Sequence, residues 1–280
     1  MATSQLASEF EEIASKLRIV KPQVAVIGRG HVGRAQIRAL SDNADVFSWD
    51  ISDDTDYPVE RLRTADLAIV CVPTPSLADG SCDTSIVEGA LSMLPTDRVL
   101  LRSTVPPGFT RGWAEKTGTC ICYSPEYIGE TPIPIHSWGD DAQSVPFLLL
   151  GGTSDARLEV IKILGPLLAI SRQVFECTSD EAELIKYMEN AYLATKLTFV
   201  NVFYDVAERI GADWSAVRTG WLLDPRVGDS HTLVFPSDRG FGGSCLPKDL
   251  DAITDVFRKV GISSELFEAV RRTNEIYRTQ

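Results

Sequence analysis

The chain has 280 residues, 44% of them hydrophobic and 24% charged, a balance that excludes a disordered tail or a fibre and is enough to bury one large core or two ordinary ones. With 27 basic against 39 acidic residues its net charge is −12, a field that repels phosphate backbones and excludes nucleic acid as an expected partner. No apolar run approaches the ~18 residues of a membrane span, no signal-peptide pattern opens the chain, and the six cysteines form no CxxC pair, so a cytoplasmic protein with free thiols and no metal site is expected.

Leu6, Phe10, Ile13 and Leu17 recur at helical spacing and predict a short amphipathic helix within residues 1–22, a packing or dimer-contact element. From residue 23, strands are predicted at Gln23–Ile27, Ala44–Asp50, Asp66–Val72, Arg98–Thr104, Thr119–Ser124, Pro146–Gly151 and Gln173–Cys177, with helices at about 31–41, 84–94 and 155–169. Near-continuous apolar strands alternating with helices define the α/β class: a Rossmann-type doubly wound parallel sheet over residues 23–178. After Cys177 the texture changes. Ser179 and Asp180 can cap a helix, and residues 181–210 contain neither Gly nor Pro, which predicts a rod of about 45 Å. Helices at about 213–222, 248–260 and 264–277 complete a small all-α central domain over residues 179–280. A rod of that length needs apolar cover beyond its own domain, so a homodimer built on the 181–210 helix is expected.

The chemistry-bearing residues fall mainly on loops and helix starts. Gly28-x-Gly30-x-x-Gly33, enclosing His31 and Val32, follows a strand and opens a helix, the context in which glycines let backbone N–H groups approach a pyrophosphate. Asp50 ends the second strand 22 positions after Gly28, where a carboxylate takes the adenosine ribose hydroxyls. Asp53, Asp54 and Asp56 follow it with no Arg nearby in sequence, which predicts NAD rather than NADP. Val72, Pro73 and Thr74 end the third strand and Ser103 and Thr104 the fourth, at the sheet edge that lines the ligand crevice. Glu126 and Glu130, with Tyr127 and Ile128 between them, are either acid/base or sugar ligands or solvated carboxylates. Lys186 and Asn190, at i and i+4, share a helix face and can converge on one oxygen. Cys245 ends a Gly-Gly-Ser-Cys loop at a helix start beside Lys248, a setting that favours the thiolate.

In order, GxGxVG, CVPTP, STVPPG, SPExxxE, KxxxN, Asp224-Pro-Arg-Val-Gly228 and FGGSCLPKD resemble the UDP-glucose/GDP-mannose dehydrogenase family from about Gln23 onward. The resemblance implies an NAD-dependent oxidation of a nucleotide-sugar primary alcohol to the carboxylate by two hydride transfers. It implies Cys245 as the nucleophile that forms a thiohemiacetal and then a thioester, Asp249 and Thr104 as handlers of a water and its proton, and Lys186 and Asn190 as oxyanion ligands. Glu126 is implied beside that water, Glu130 and Lys248 near cofactor and substrate, and Tyr127, Ile128, Phe241, Gly242 and Gly243 at the substrate, with Arg226 reaching it from a neighbouring subunit. It further implies a form lacking the family's C-terminal nucleotide-binding domain, and a connection from Ile51 to Ala65 shortened to 15 residues. Two other readings keep the fold: a one-step hydroxyacid or 6-phosphogluconate-type dehydrogenase, which has no use for Cys245, and a non-catalytic NAD-binding protein.

Overall fold

The computed structural model describes residues 21–53, 55–129, 139, 141–167 and 172–279; the helix expected within residues 1–22, and Glu130, lie outside them. In chain order it contains β1 (Gln23–Ile27), α1 (His31–Leu40), β2 (Asp45–Trp49), α2 (Val59–Arg63), β3 (Leu67–Val70), α3 (Ser85–Met93), β4 (Arg98–Leu101), α4 (Phe109–Thr117), β5 (Cys120–Tyr123), β6 (Phe147–Gly151), α5 (Ser154–Leu164) and β7 (Gln173–Cys177). The strands form one sheet in the order β2-β1-β3-β4-β5-β6-β7. The first five pair in parallel.

The expectation of a wholly parallel sheet is corrected at one seam. β6 meets β5 antiparallel through the pair Tyr123↔Gly151, and β7 runs parallel with β6. A parallel neighbour requires a crossover, usually a helix, and the described residues between Tyr123 and Phe147 contain none. Helices α2 and α4 are additions to the sequence reading. Each is short, with Leu62 the one buried residue of α2 and Thr110 that of α4, so neither carries an apolar stripe that periodicity could detect.

The inner strands β1, β3, β4, β5 and β6 are covered on both faces and are accordingly mainly apolar, whereas the edge strand β7 is exposed. Val24, Val26, Leu67, Ile69, Leu100 and Leu150 pack with Val160 and Leu164 of α5 on one side. Val70, Val99, Leu101 and Tyr123 pack with Val87 and Leu91 of α3 on the other.

The rod is helix α6 (Ser179–Ile210), 32 residues long. Its N-cap is Thr178 rather than Ser179 or Asp180: the Thr178 side chain accepts from the Glu181 N–H while the Glu181 carboxylate accepts from the Thr178 N–H, a capping box. Gly211, in the left-handed region at φ 72°, ends it. Helices α7 (Trp214–Trp221), α8 (Leu246–Lys259) and α9 (Glu265–Arg278) follow. Tyr187, Ala191 and Ala194 on one side of α6 form a second core with Phe241, Leu250, Ile253 and Val270.

The root of α6 is fixed to the sheet domain at two points. A Cβ added at Gly151 would lie 2.4 Å from the Ala182 Cβ, so strand and helix touch there only because position 151 is glycine. At the next residue, the fully buried Glu183 carboxylate accepts the N–H groups of Gly108 (2.6 Å) and Thr110 (2.9 Å), capping α4 from another helix. Those bonds favour the ionised form, but burial outweighs them and pushes the Glu183 carboxyl up to about 7. The folded protein therefore binds a proton between the ordinary value of 4.5 and about 7 that the unfolded chain does not. Its stabilising effect is full below pH ~4.5 and is lost as pH rises through about 7, a change of at most about 3 kcal/mol. Urea midpoints measured from pH 5 to 8 should fall more steeply for the wild type than for Glu183→Gln; equal slopes would show that Glu183 does not titrate there.

Candidate functional site

Four loop starts are aligned at the carboxyl edge of the parallel strands. Gly28 N–H donates to Trp49 O, Cys71 N–H to Ile27 O, Arg102 N–H to Val70 O and Ser124 N–H to Leu101 O, at 2.8–2.9 Å. Each loop is thus pinned to the end of a neighbouring strand, and all four open on one crevice.

The glycine turn fits a dinucleotide phosphate. A Cβ at Gly28 would meet Cys71 O at 2.7 Å and one at Gly33 would meet Gly28 O at 1.9 Å, so both positions require glycine for strand and helix to close. At Gly30 a Cβ would meet nothing within 4 Å, and α1 begins there with no side-chain cap and no acid in its first turn. Free N–H groups at the positive end of a helix, facing open space, are what an anionic phosphate needs. His31 opens this helix with Nε2 buried and without a hydrogen-bond partner, and Val32 is half-buried beside it.

Asp50 lies beside the glycine turn. It accepts the Arg29 N–H at 2.7 Å and the Ser52 N–H and hydroxyl at 3.0 and 2.7 Å, and the Arg29 bond above all holds its carboxyl down at about 2. One expectation is corrected here. No Arg follows Asp50 in sequence, yet the turn itself brings Arg29 onto Asp53, where the two form an ion pair.

Beyond the turn, a polar chain crosses from sheet to helices. Lys248 Nζ lies 3.4 Å from Thr74 Oγ1 and 2.5 Å from Asp249 Oδ1, and Asp249 Oδ2 accepts from Asn190 Nδ2 at 2.5 Å. Thr74, Asn190 and Asp249 are buried, so the Lys248–Asp249 pair is shielded and its partners are fixed. Cys245 is the exposed residue that caps α8, with Ser244 Oγ 3.5 Å from its sulfur. Burial pushes the Cys71 and Cys122 thiols up to about 12, so those two stay protonated. Val72 packs into the sheet core, Pro73 is exposed, and the Ser103 hydroxyl is spent on Val72 O at 2.7 Å. The Thr104 carbonyl faces the Cys82 thiol at 3.8 Å.

Three placements differ from the sequence reading. Lys186 and Asn190 share a face but do not converge: Lys186 Nζ donates to the Glu126 carbonyl at 2.8 Å and lies 4.8 Å from the centre of the Tyr127 ring, while Asn190 turns to Asp249. The Glu126 carboxylate accepts from Gln36 Nε2 at 2.6 Å and faces Arg102 at 3.5 Å, both partners of the ion pair being 8% exposed. A carboxylate buried beside a fixed guanidinium is held as a structural ion pair. Ile128 packs on Ala35 and Ala39 of α1. Arg226, whose side chain is 88% exposed, pairs only locally with Asp224 at 2.5 Å, and so projects from its own chain.

A cavity of about 390 Å³ lies between α6 and the loop that precedes α8. Phe241, Gly242 and Gly243 line it, together with Arg218, His231, Phe235 and Arg278. No local signal marks these last four in the sequence, since they lie far apart in the chain and meet where the loop folds back over α6. The one trace is conformational: His231 adopts φ 58°, an uncommon backbone for a non-glycine residue and a mark of functional segments.

Sheet, glycine turn and helices define a Rossmann-type α/β protein with an appended helical unit. Residues 180–276, the segment that carries KxxxN, Asp224–Gly228 and FGGSCLPKD, match the central domain of the UDP-glucose/GDP-mannose dehydrogenase family. Dehydrogenases of that family use NAD. The UDP-glucose 6-dehydrogenase TuaD of Bacillus subtilis is 28% identical over 90% of this chain and 63% of its own length. A UDP-glucose 6-dehydrogenase of Rickettsia bellii is 31% identical over 79% of this chain and 52% of its own. Among solved structures, a UDP-glucose dehydrogenase of Pyrobaculum islandicum superposes with a TM-score of 0.77 at 25% identity, over 92% of this chain and 69% of that one. The chain thus spans between about half and two thirds of these relatives. No helix among the described residues is long and apolar enough to cross a membrane.

Proposed function

We propose that the chain is a cytoplasmic NAD-dependent dehydrogenase that oxidises the primary alcohol of a nucleotide sugar to the carboxylate. Residues 23–178 hold the cofactor and residues 179–280 the substrate and the dimer contact. The observation that carries this reading is the Thr74–Lys248–Asp249–Asn190 chain, which ties the cofactor edge of the sheet to the helix that presents Cys245. Two NAD molecules held in turn at the glycine turn would each take up one hydride, the first leaving as NADH before the second binds. Asp249, held by Lys248, takes the proton of the alcohol as the first hydride leaves. The Cys245 thiolate, favoured by the α8 N-terminus, then adds to the aldehyde carbon as a thiohemiacetal, and loss of the second hydride leaves a thioester. A water near Thr104 hydrolyses it, releasing the carboxylate and the thiol. Lys186 is the nearby cation able to turn from the Glu126 carbonyl towards the developing oxyanion. Two NADH formed per UDP-glucose or related nucleotide sugar consumed support this reading; a ratio of one assigns the chain to one-step dehydrogenases.

The assembly reading rests on the outer face of α6. Leu184, Met188, Tyr192, Phe199, Phe203, Val206 and Ile210 recur every three or four residues, allowing for one skipped turn, and are 46–72% exposed, an apolar stripe that a soluble monomer rarely shows. A second copy of this chain laid along it would form the homodimer, and the outward-facing Arg226 is placed to reach that copy. Light scattering at micromolar concentration should give a dimer, and Met188→Asp with Phe203→Asp a monomer. Mixing inactive Arg226→Ala with inactive Cys245→Ala chains should restore part of the activity if Arg226 acts across the interface; no recovery in a confirmed mixed dimer would place it in its own site.

A further inference from the structure

At the ribose end of the glycine turn, Asp50 is joined by a second carboxylate. Asp53 accepts the Asp50 N–H through one oxygen at 3.0 Å and pairs with the Arg29 guanidinium through the other. Arg29 stands between the first two glycines of the turn, and its own N–H donates to Asp50 at 2.7 Å. Arg29, Asp50 and Asp53 therefore close a ring. Its guanidinium is at the lip of the crevice, the Arg29 side chain being 39% exposed against 16% for Asp53.

An arginine at this end of a dinucleotide fold is the residue type that receives a ribose 2′-phosphate, because its fork matches two phosphate oxygens. Here one arm of that fork, Nη2, is already held by Asp53. We propose that Asp53 is a specificity-determining residue: by holding and neutralising Arg29 it denies a 2′-phosphate the guanidinium that would receive it, and so completes the exclusion of NADP that Asp50 begins. The inference rests on the reading of the turn as an NAD site.

Calorimetric titration of NAD, NADP and 2′,5′-ADP into wild type, Asp53→Asn, Arg29→Ala and the double variant tests it. Asp53→Asn keeps an acceptor for the Asp50 N–H and removes the charge, so NADP and 2′,5′-ADP should bind about tenfold more tightly, or about 1.4 kcal/mol, with NAD affinity little changed. The gain should vanish when Arg29→Ala is the background. Asp53→Ser, which also keeps an acceptor, should behave as Asp53→Asn does and guards against a folding defect in one variant. If NAD binds the wild type but neither Asp53 variant improves NADP binding, or the gain survives without Arg29, the proposal is overturned. If the wild type binds no NAD, the site reading itself falls and the proposal with it.

Discussion

Cys245→Ser should bring formation of the carboxylate product nearly to a halt, lowering it by about 10³-fold or more, the scale seen when a covalent nucleophile is lost. Serine at that position offers a hydroxyl, a far weaker nucleophile at neutral pH than a thiolate, and an ester in place of a thioester would hydrolyse more slowly. The variant should still bind NAD, because Cys245 lies at the start of α8 and outside the glycine turn. Mass spectrometry of the stalled variant should show either free aldehyde or a covalent ester at residue 245. A variant that retains full turnover to the carboxylate would remove Cys245 from the chemistry.

Lys186→Ala should lower kcat by about 10²–10³, or about 3–4 kcal/mol, the usual cost of losing one oxyanion contact. The loss should appear in kcat rather than in the KM for NAD, since Lys186 bonds the Glu126 carbonyl rather than the glycine turn. Because that bond also anchors the segment after β5, Lys186→Gln offers a check: it can keep the bond to the carbonyl but carries no charge. If Lys186→Gln is as fast as wild type, the ammonium has no electrostatic role.

What could be read in the sequence followed the strength of the local signal. The glycine turn, Asp50 and the long helix were legible because tight turns and capped, uninterrupted helices are dictated within a few residues. Helices α2 and α4 were not, having a single buried residue each. The antiparallel seam at Tyr123↔Gly151 depends on the connection between the two strands, whose described residues hold no helix, rather than on any residue in the strands themselves. The site shows the same division. Motif position brought Cys245, Lys248, Asp249 and Asn190 to one region, but side-chain direction decided that the Glu126 carboxylate faces Arg102 and that Arg29 reaches Asp53. Spacing along a helix tells which residues share a face; which partner each takes is set by elements distant in sequence.

The anchoring of α6 at Gly151–Ala182 and at Glu183 makes the helix a cantilever. Its clamped end cannot pivot without opening the strand contact or uncapping α4, whereas its free end at Ile210 stays exposed within the chain. Bending compliance must therefore rise along the rod, away from Asn190 and towards Ile210. Amide exchange should be slowest near Tyr187 and fastest near Ile210 in a monomeric variant, and a second copy should flatten that gradient by clamping the other end. Assembly would then act on catalysis mechanically, by stiffening the beam that holds Lys186 and Asn190 at their working distance from the sheet.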